Sequence, residues 1–586
     1  MVGGATPPTA LRALPTAPSS GPRCAESDQR VLRPDAILRR KVFVHAEQGS
    51  STLSFNLADL FESVVDVVPE QTAMVCDARR LDYAHLDERA NRLAHYLSDA
   101  GVRPGDRIGL QLANGSEYIE GMLACFKIRS VPVNVNYRYV GAELRHLYAD
   151  AGLVGLVFHS RFAPAVHGAL EAMAERRALL EVRDDAEYSG IAHDYEAVLA
   201  VAEVRRGFGP RSADDLYCVY TGGTTGMPKG VLWRHEDIFF AAMGGGDPMS
   251  LGNVIATPEE LVDRVMRPGM VALAAPPFMH AAAHWLAFTT LFGGGTLVTL
   301  PGGRFDPVAA WRLCVAESVN VLVVVGDAMM QPLLDELEDA GYDVPALMAI
   351  GSGGALLSPS TKQRITALLP GRIVVDAFGS SETGQLGGRA PDDDPYGAPR
   401  LRVDDRTDVL DDQLRPLVAG AGAVGHLARA GHVPIGYLGD VEKTAATFVE
   451  IDGRRWALPG DMARVERDGT IVLLGRGSLC INTGGEKVFP DEVEAVVKSC
   501  DGVRDAVVVG LPDDRLGERV VAVVQPEVGV DLDASSVREH CRGRLAGYKV
   551  PRQVVVTTEF TRSPAGKADY RWARSIAAAV PNGGAP

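Results

Sequence analysis

Three features of the sequence predict an α/β protein built from helix-flanked sheets, with a second, smaller α+β domain at its C-terminal end. Strand-like and helix-like stretches alternate from Phe55 to about Asp376, the pattern that parallel sheets covered by helices require. Past about residue 420 the strands shorten and become interleaved with polar residues. Past Arg476 a compact mixed segment follows, with helices and strands of its own.

In chain order, residues 57–68 read as an amphipathic helix and 73–76 as a strand. Leu86, Ala90, Leu93, Ala94 and Leu97 recur at three- and four-residue spacing and predict a helix over 86–100. A turn at 101–106 leads into a strand at 107–112; 117–127 is helical and 130–135 a strand. Further strands are predicted at 153–158, 271–275, 296–300, 319–325 and 373–376. The uncharged stretch 268–303 contains Pro276, Pro277 and the glycines 293–295, an interruption that a lipid-spanning helix does not tolerate. It reads as strand, turn, buried helix and strand, so no transmembrane segment is predicted. Strands follow at 456–458, 463–467 and 470–474, the last two joined by Asp468 and Gly469, a hairpin signal. Then come a helix at 491–499, strands at 503–510 and 520–525, and a helix at 534–545. The organisation expected is a disordered leader or over-extended reading-frame start at 1–50, an N-terminal domain at 51–476, a mobile C-terminal domain at 477–577 and a flexible tail at 578–586.

At about 150 residues per domain, 586 residues suggest about four packing units. With 46% hydrophobic and 23% charged residues, wholesale disorder is excluded. The 59 Lys and Arg against 75 Asp and Glu give a net charge of −16, which argues against a nucleic-acid partner. Any anionic ligand must therefore meet a local cationic site. Only nine of the basic residues are lysines, so a lysine inside a motif stands out. The eight cysteines are scattered without a CxxC pair, which points to a reducing, cytoplasmic compartment. The histidines form no HExxH or Cys/His cluster, so no structural zinc site is expected. Assembly as a homo-oligomer stays open.

The most informative stretch is 220–230, Tyr-Thr-Gly-Gly-Thr-Thr-Gly-Met-Pro-Lys-Gly, which follows a strand-like run at 216–219. Gly222, Gly223 and Gly226 let the backbone curl so that N–H groups converge on an anion. Thr221, Thr224 and Thr225 add hydroxyl donors, and Lys229 adds a point charge suited to polyphosphate. A Walker P-loop needs Gly before the Lys and Ser or Thr after it; Pro228 and Gly230 stand there instead.

This string resembles the phosphate-binding signature of the adenylate-forming superfamily of acyl-CoA synthetases, luciferases and peptide-synthetase adenylation domains. Other signatures recur in that family's order: Gly353, Gly354 and Ala355; Phe378, Gly379, Ser381 and Glu382; Asp461 with Arg476; Gly484 and Gly485 before Glu486 and Lys487; and 563–567, ending in Lys567. The resemblance covers roughly 55–574. It implies an adenylation domain of helix-flanked sheets with a small barrel, and a C-terminal domain that rotates about a hinge at Ser478. It implies that ATP, Mg²⁺ and coenzyme A are used, with the acid first converted to an acyl-adenylate. In that chemistry an anion approaches an anionic phosphate, so catalysis is mainly positioning and charge neutralisation. By the resemblance, 221–229 grips phosphates, Thr221 and Glu382 hold Mg²⁺, and the 353–355 loop with Phe378 flanks adenine. Asp461 and Arg476 take the ribose, Lys567 serves the first step, and Gly484 and Gly485 line a pantetheine channel. On the residues alone, Asp461 could be a turn acid, Glu382 a helix-start residue, Glu486 and Lys487 a solvated pair, and Lys567 a surface lysine. Lys549 reads as structural.

The expected substrate is a small-molecule carboxylic acid. The segment 276–280 offers no carboxylate for a substrate ammonium, which argues against amino acids. Small residues at 281–283, Ala281 and Ala282 among them, and at 351–354, starting with Gly351, leave a wide apolar pocket. His280 resembles the family's aromatic gate residue; His280 and His284 could equally be core histidines. Segments 231–238, 135–139 and 567–572 look like actinobacterial synthetases that activate steroid side-chain carboxylates, and the insertion 243–268 is similar to a lid of that group. A medium- or long-chain fatty acid is the alternative within the class. A luciferase-like monooxygenase and a catalytically silent adenylate-binding protein are the alternatives outside it.

Overall fold

The computed structural model describes residues 53–139, 141–221, 227–247, 252–302, 305–389, 400–483, 486–513, 515–562 and 567–580. The expected leader and most of the expected tail lie outside these residues. So do Gly222, Gly223, Thr224, Thr225, Gly226, Gly484 and Gly485.

Two large sheets are formed by the alternating part of the chain. The first runs Gly436–Tyr437, Lys229–Arg234, Leu216–Thr221, Val131–Asn134, Arg107–Gln111, Leu153–His159, Ala178–Val182 and His193–Asp194. Its strands are parallel except at the Tyr437 end, where Leu216–Thr221, Lys229–Arg234 and Gly436–Tyr437 pair antiparallel. The second sheet has a parallel run of Thr72–Cys76, Thr296–Thr299, Val271–Ala274, Val321–Val324, Ala349–Gly353 and Ile373–Ser380. The strands predicted at 73–76, 107–112, 130–135, 153–158, 216–219, 271–275, 296–300, 319–325 and 373–376 form, whereas those at 178–182, 193–194, 229–234, 349–353 and 436–437 were not foreseen.

From Gly384–Arg389 onward the second sheet continues antiparallel through Arg400–Arg402, Ile471–Arg476, Asp461–Val465 and Gly425–Ala430. The last of these strands changes partner from Asp461–Val465 to Arg454–Ala457 along its length. The strands anticipated as a small barrel are thus, among the described residues, an extension of this sheet. The Asp468–Gly469 hairpin forms as predicted, with Gly469 at φ +81°.

Helices Leu57–Val67, Ser116–Lys127 and Ala281–Phe292 share one apolar core with both sheets, centred on Phe61, Tyr118, Phe126, Trp233 and Phe288. Inside it Lys127 is fully buried, its ammonium 2.5 Å from Glu62 and 2.6 Å from Asp87. A buried lysine survives there only because two carboxylates meet it. A third sheet, Glu486–Val488, Ile481–Thr483, Gly517–Pro526 and Val503–Asp513 with Gln553–Val556 alongside, forms the smaller C-terminal domain. Helices Pro490–Lys498 and Ala534–Arg542 pack with one of its apolar clusters, and Tyr570–Ala579 with the other. That last helix takes in two residues of the expected tail.

Candidate active site

The ends of the parallel strands converge where ligands of open α/β sheets bind. Two asparagines fix one wall. Asn134, ending its strand, donates from Nδ2 to the carbonyls of Tyr220 (2.9 Å) and Met279 (2.7 Å), and accepts from the Tyr220 N–H. Asn114 donates to the Pro276 carbonyl at 3.2 Å and accepts from the Phe278 N–H at 2.7 Å. The 276–280 segment is thereby tied to the Leu216–Thr221 strand, and His280 is held at the start of the Ala281–Phe292 helix. The His280 Nε2 atom is buried without a hydrogen-bond partner. Burial, then the nearby charges of Lys567 and Arg138, push its pKa down to about 3, so the ring is neutral at physiological pH. Ala281, Ala282, Trp285, Leu286 and Thr289 form the half-open face of that helix. Ala282 faces Gly353, at whose position a Cβ would stand 3.8 Å away. Gly351 lies on the same strand.

The Phe378–Glu382 motif forms a hairpin rather than a helix start. Gly379 crosses the Gly384 carbonyl so closely that a Cβ would overlap it. Ser380 and Thr383 bond to each other across the turn, and the Trp233 indole donates to the Ser381 carbonyl at 3.0 Å. Glu382, buried at the tip, accepts from the Tyr437 hydroxyl at 2.9 Å. Phe378 is half-buried against Leu386, Leu401 and their neighbours.

Asp461 and Arg476 are cross-strand partners, with Nε to Oδ1 at 3.0 Å, and Arg476 also donates to the Pro459 carbonyl. Burial raises the Asp461 pKa and Glu382 adds to this, while Arg476 and Lys567 work against it. Lys567 lies against the 353–355 loop: a Cβ at Gly354 would stand 3.9 Å from its Cε. The residue as a whole keeps contact with solvent, yet crowding around its ammonium is the largest influence and lowers its pKa. Arg476 lowers it further, opposed by Glu382 and Asp461. Glu382, Asp461, Arg476, Gly354 and His280 therefore all lie within reach of Lys567, although they come from distant parts of the chain.

Other expected residues lie elsewhere or have other partners. Lys229 pairs with Asp440 at 2.5 Å. Thr221 ends its strand, immediately before residues 222–226 in the sequence. Ser478 is exposed in the short 3-10 turn Gly477–Leu479. Glu486 and Lys487 are exposed on a hairpin of the third sheet. His284 is a core histidine bonded to Tyr217 and Tyr118, and Lys549 is bound to Glu492. The 243–268 segment reaches the Ala281–Phe292 helix at Thr289, close to Gly244. Sequence reasoning missed Asn114, Asn134, Tyr437, Asp440 and Lys443; of these only Lys443 carried a signal, the scarcity of lysine.

Among the described residues no cluster of three or more His, Cys, Asp or Glu side chains could hold a metal by itself. A Mg²⁺ held through one carboxylate, one hydroxyl and substrate phosphates needs no such cluster, and Glu382 with Thr221 fits that donor set.

Residues 61–438 match the family model "AMP-binding enzyme", and 492–567 match "AMP-binding enzyme C-terminal domain". The chain is 45% identical over 536 residues to 3-oxocholest-4-en-26-oate–CoA ligase of Rhodococcus rhodochrous, covering 89% of this chain and 96% of that protein. It is 43% identical to the medium/long-chain-fatty-acid–CoA/3-oxocholest-4-en-26-oate–CoA ligase of Mycobacterium tuberculosis, covering 90% and 97%. Its fold matches the anthranilate CoA ligase AuaEII in complex with anthranoyl-AMP with a TM-score of 0.78 at 20% identity, over 90% of this chain and 99% of that one. ATP-bound MatB from Rhodopseudomonas palustris matches with a TM-score of 0.73 at 26% identity, over 88% and 98%. The chain belongs to the AMP-binding enzyme family.

Proposed function

We propose that the chain is an ATP-dependent acid–thiol ligase that converts a hydrophobic carboxylic acid, foremost a steroid side-chain carboxylate, through an acyl-adenylate to its CoA thioester. One observation carries this reading: Lys567 stands beside Gly354, within electrostatic reach of Glu382, Asp461 and Arg476. A carboxylate attacking the α-phosphate brings two anions together, and a lysine at that point lowers the barrier by charge neutralisation. The acid oxygen bonds to the α-phosphorus as the bond to the β-phosphate breaks and pyrophosphate leaves. The CoA sulfur then attacks the carbonyl carbon, the thiol proton passes to solvent, and AMP departs with the acid's oxygen.

In this reading Asp461 accepts from the ribose hydroxyls, with Arg476 fixing its carboxylate. The 353–355 loop and Phe378 flank the adenine. Glu382 and Thr221 hold Mg²⁺, which when bound screens the phosphate charge. Residues 222–226 and Lys229 grip the outer phosphates. Neutral His280 and the alanine face behind it border the acyl chain, and the 243–268 segment lids it. The domain boundary falls at Arg476/Gly477, where the chain passes from the second sheet to the third. Rotation about Ser478 exchanges Lys567 for Gly484 and Gly485 in the thioester step. The relatives named for a sterol-derived acid support the steroid, and the relative also named for medium- and long-chain fatty acids supports those as the second substrate class. The seven described cysteines are all free and no described helix is long and apolar enough to cross a membrane, which supports work in the cytoplasm.

The test is pyrophosphate release with ATP, Mg²⁺ and CoA across acids from acetate to long-chain fatty acids, including steroids with eight-carbon and five-carbon side-chain acids. Turnover confined to the steroids, with the thioester confirmed by mass, is expected. Preference for straight-chain acids would keep the ligase and discard the steroid. No pyrophosphate from any acid would overturn the reading.

A further inference from the structure

Two of the nine lysines, Lys567 and Lys443, come within electrostatic reach of Glu382, and Lys443 has no part in the proposed reaction. Lys443 is half-buried, with its ammonium 4.2 Å from the centre of the Tyr437 ring. The hydroxyl of that same tyrosine donates to Glu382. Among the described residues no carboxylate reaches the Lys443 ammonium, whereas Lys229 is paired with Asp440 and Arg476 with Asp461. Asp440 joins the two lysines: one oxygen takes the Lys229 ammonium and the other accepts the Lys443 backbone N–H at 2.9 Å.

The charges acting on Lys567 are Arg476, Glu382 and Asp461. Those acting on Lys443 are Lys229, Glu382, Asp440 and Arg476. Glu382 and Arg476 act on both lysines; Lys567 stands near Gly354, and Lys443 is joined to Lys229 through Asp440. Burial and the like charge of Lys229 make a cation at Lys443 unfavourable, lowering its pKa. A chain of net charge −16 retains an ammonium there without a carboxylate, in a place that an incoming polyanion would relieve.

We infer that Lys443, held on the face of Tyr437, binds the β- and γ-phosphates of ATP and the pyrophosphate they become. Lys443 and Lys229, joined through Asp440, would then take the outer phosphates together, while Lys567 serves the α-phosphate. Lysine suits this position because its ammonium is a point charge on a flexible stem that can follow the phosphates as the bond breaks. Tyr437 serves both sides of the arrangement, orienting Glu382 through its hydroxyl and Lys443 through its ring. The inference rests on the proposed use of ATP at this site.

The experiment uses the full chain without acid substrate, so that nucleotide binds but is not consumed. Affinities for ATP, AMP and pyrophosphate are measured by titration calorimetry for the unaltered protein, Lys443→Met and Lys443→Arg. Lys443→Met is expected to weaken ATP and pyrophosphate at least tenfold and to leave AMP within twofold, with Lys443→Arg regaining most of the loss. Retained AMP binding also reports an intact fold. ATP binding unchanged in Lys443→Met, or ATP and AMP weakened equally, overturns the assignment of Lys443 alone. An unaltered protein that binds neither nucleotide overturns the reading on which it rests.

Discussion

Replacing Asp505 by asparagine tests what holds the Lys567 loop. Arg562, five residues before Lys567, places both arms of its guanidinium on Asp505, at 2.5 Å and 2.6 Å, and Lys498 approaches the same carboxylate at 3.1 Å. Burial alone would raise the Asp505 pKa, but Lys498 and the Arg562 fork more than offset it and hold it at about 2, against an ordinary 3.8. That gap corresponds to on the order of 2–3 kcal/mol of stabilisation. Because the folded-state pKa is depressed, the contribution is complete above roughly pH 4 and is lost only as pH falls from there through about 2. It is therefore constant across an assay range of roughly pH 6–9. Asp505→Asn removes the charge and keeps the shape, leaving two cations without their anion. If the cost falls on the seating of Lys567, adenylate formation drops on the order of thirtyfold or more. The assay is ATP–pyrophosphate exchange for the first step, beside thioester formation from supplied acyl-adenylate for the second, which should stay within twofold. An unchanged first step, or equal loss in both, would refute the reasoning.

Three further outcomes are expected. Adenylate formation should fall as pH rises through a Lys567 pKa below the usual lysine value, and Lys567→Arg should move that alkaline limb to higher pH; a limb that does not move counts against Lys567 as the cation. Gly475 sits at φ +102°, and a Cβ there would overlap Asp491 Oδ2 across the contact between the Ile471–Arg476 strand and the Pro490–Lys498 helix. Gly475→Ala should cost on the order of 1–3 kcal/mol and slow the first step more than the second, and equal slowing would argue against a contact specific to this arrangement. Lys127→Met strands Glu62 and Asp87 in the core, but Arg211 and Arg206 still reach them. The loss should therefore lie near the low end for a broken buried pair, about 3 kcal/mol by urea unfolding, and no loss would mean the buried pair contributes nothing net.

The predicted strands, such as 107–112, 153–158, 271–275 and 296–300, were legible as short apolar runs; Lys229–Arg234, Ala349–Gly353 and Ala178–Val182 were not singled out, and the hairpin at Asp468–Gly469 was legible from its turn residues. The fate of 454–476 was not: whether those strands close on themselves or extend a neighbouring sheet depends on pairing across long sequence distance. A chemical expectation could be formed where a glycine-rich or lysine-bearing string is itself the signal, as at 221–229 and Lys567. Chemistry was illegible where a side chain acts on a backbone far away. Asn134 and Asn114 are ordinary strand-end asparagines until the fold carries the 276–280 segment to them, and Tyr437 is one tyrosine of 15 until its hydroxyl meets Glu382. Lys443 lay between these cases, marked only by being a lysine in a chain that otherwise uses arginine.

The route itself can be tested by following one atom. A preferred acid carrying heavy oxygen in its carboxylate is turned over with ATP and CoA, and the products are examined by mass. An acyl-adenylate route delivers one labelled oxygen to AMP and none to pyrophosphate. Label in inorganic phosphate alongside ADP, or unlabelled AMP with thioester formed, would contradict it.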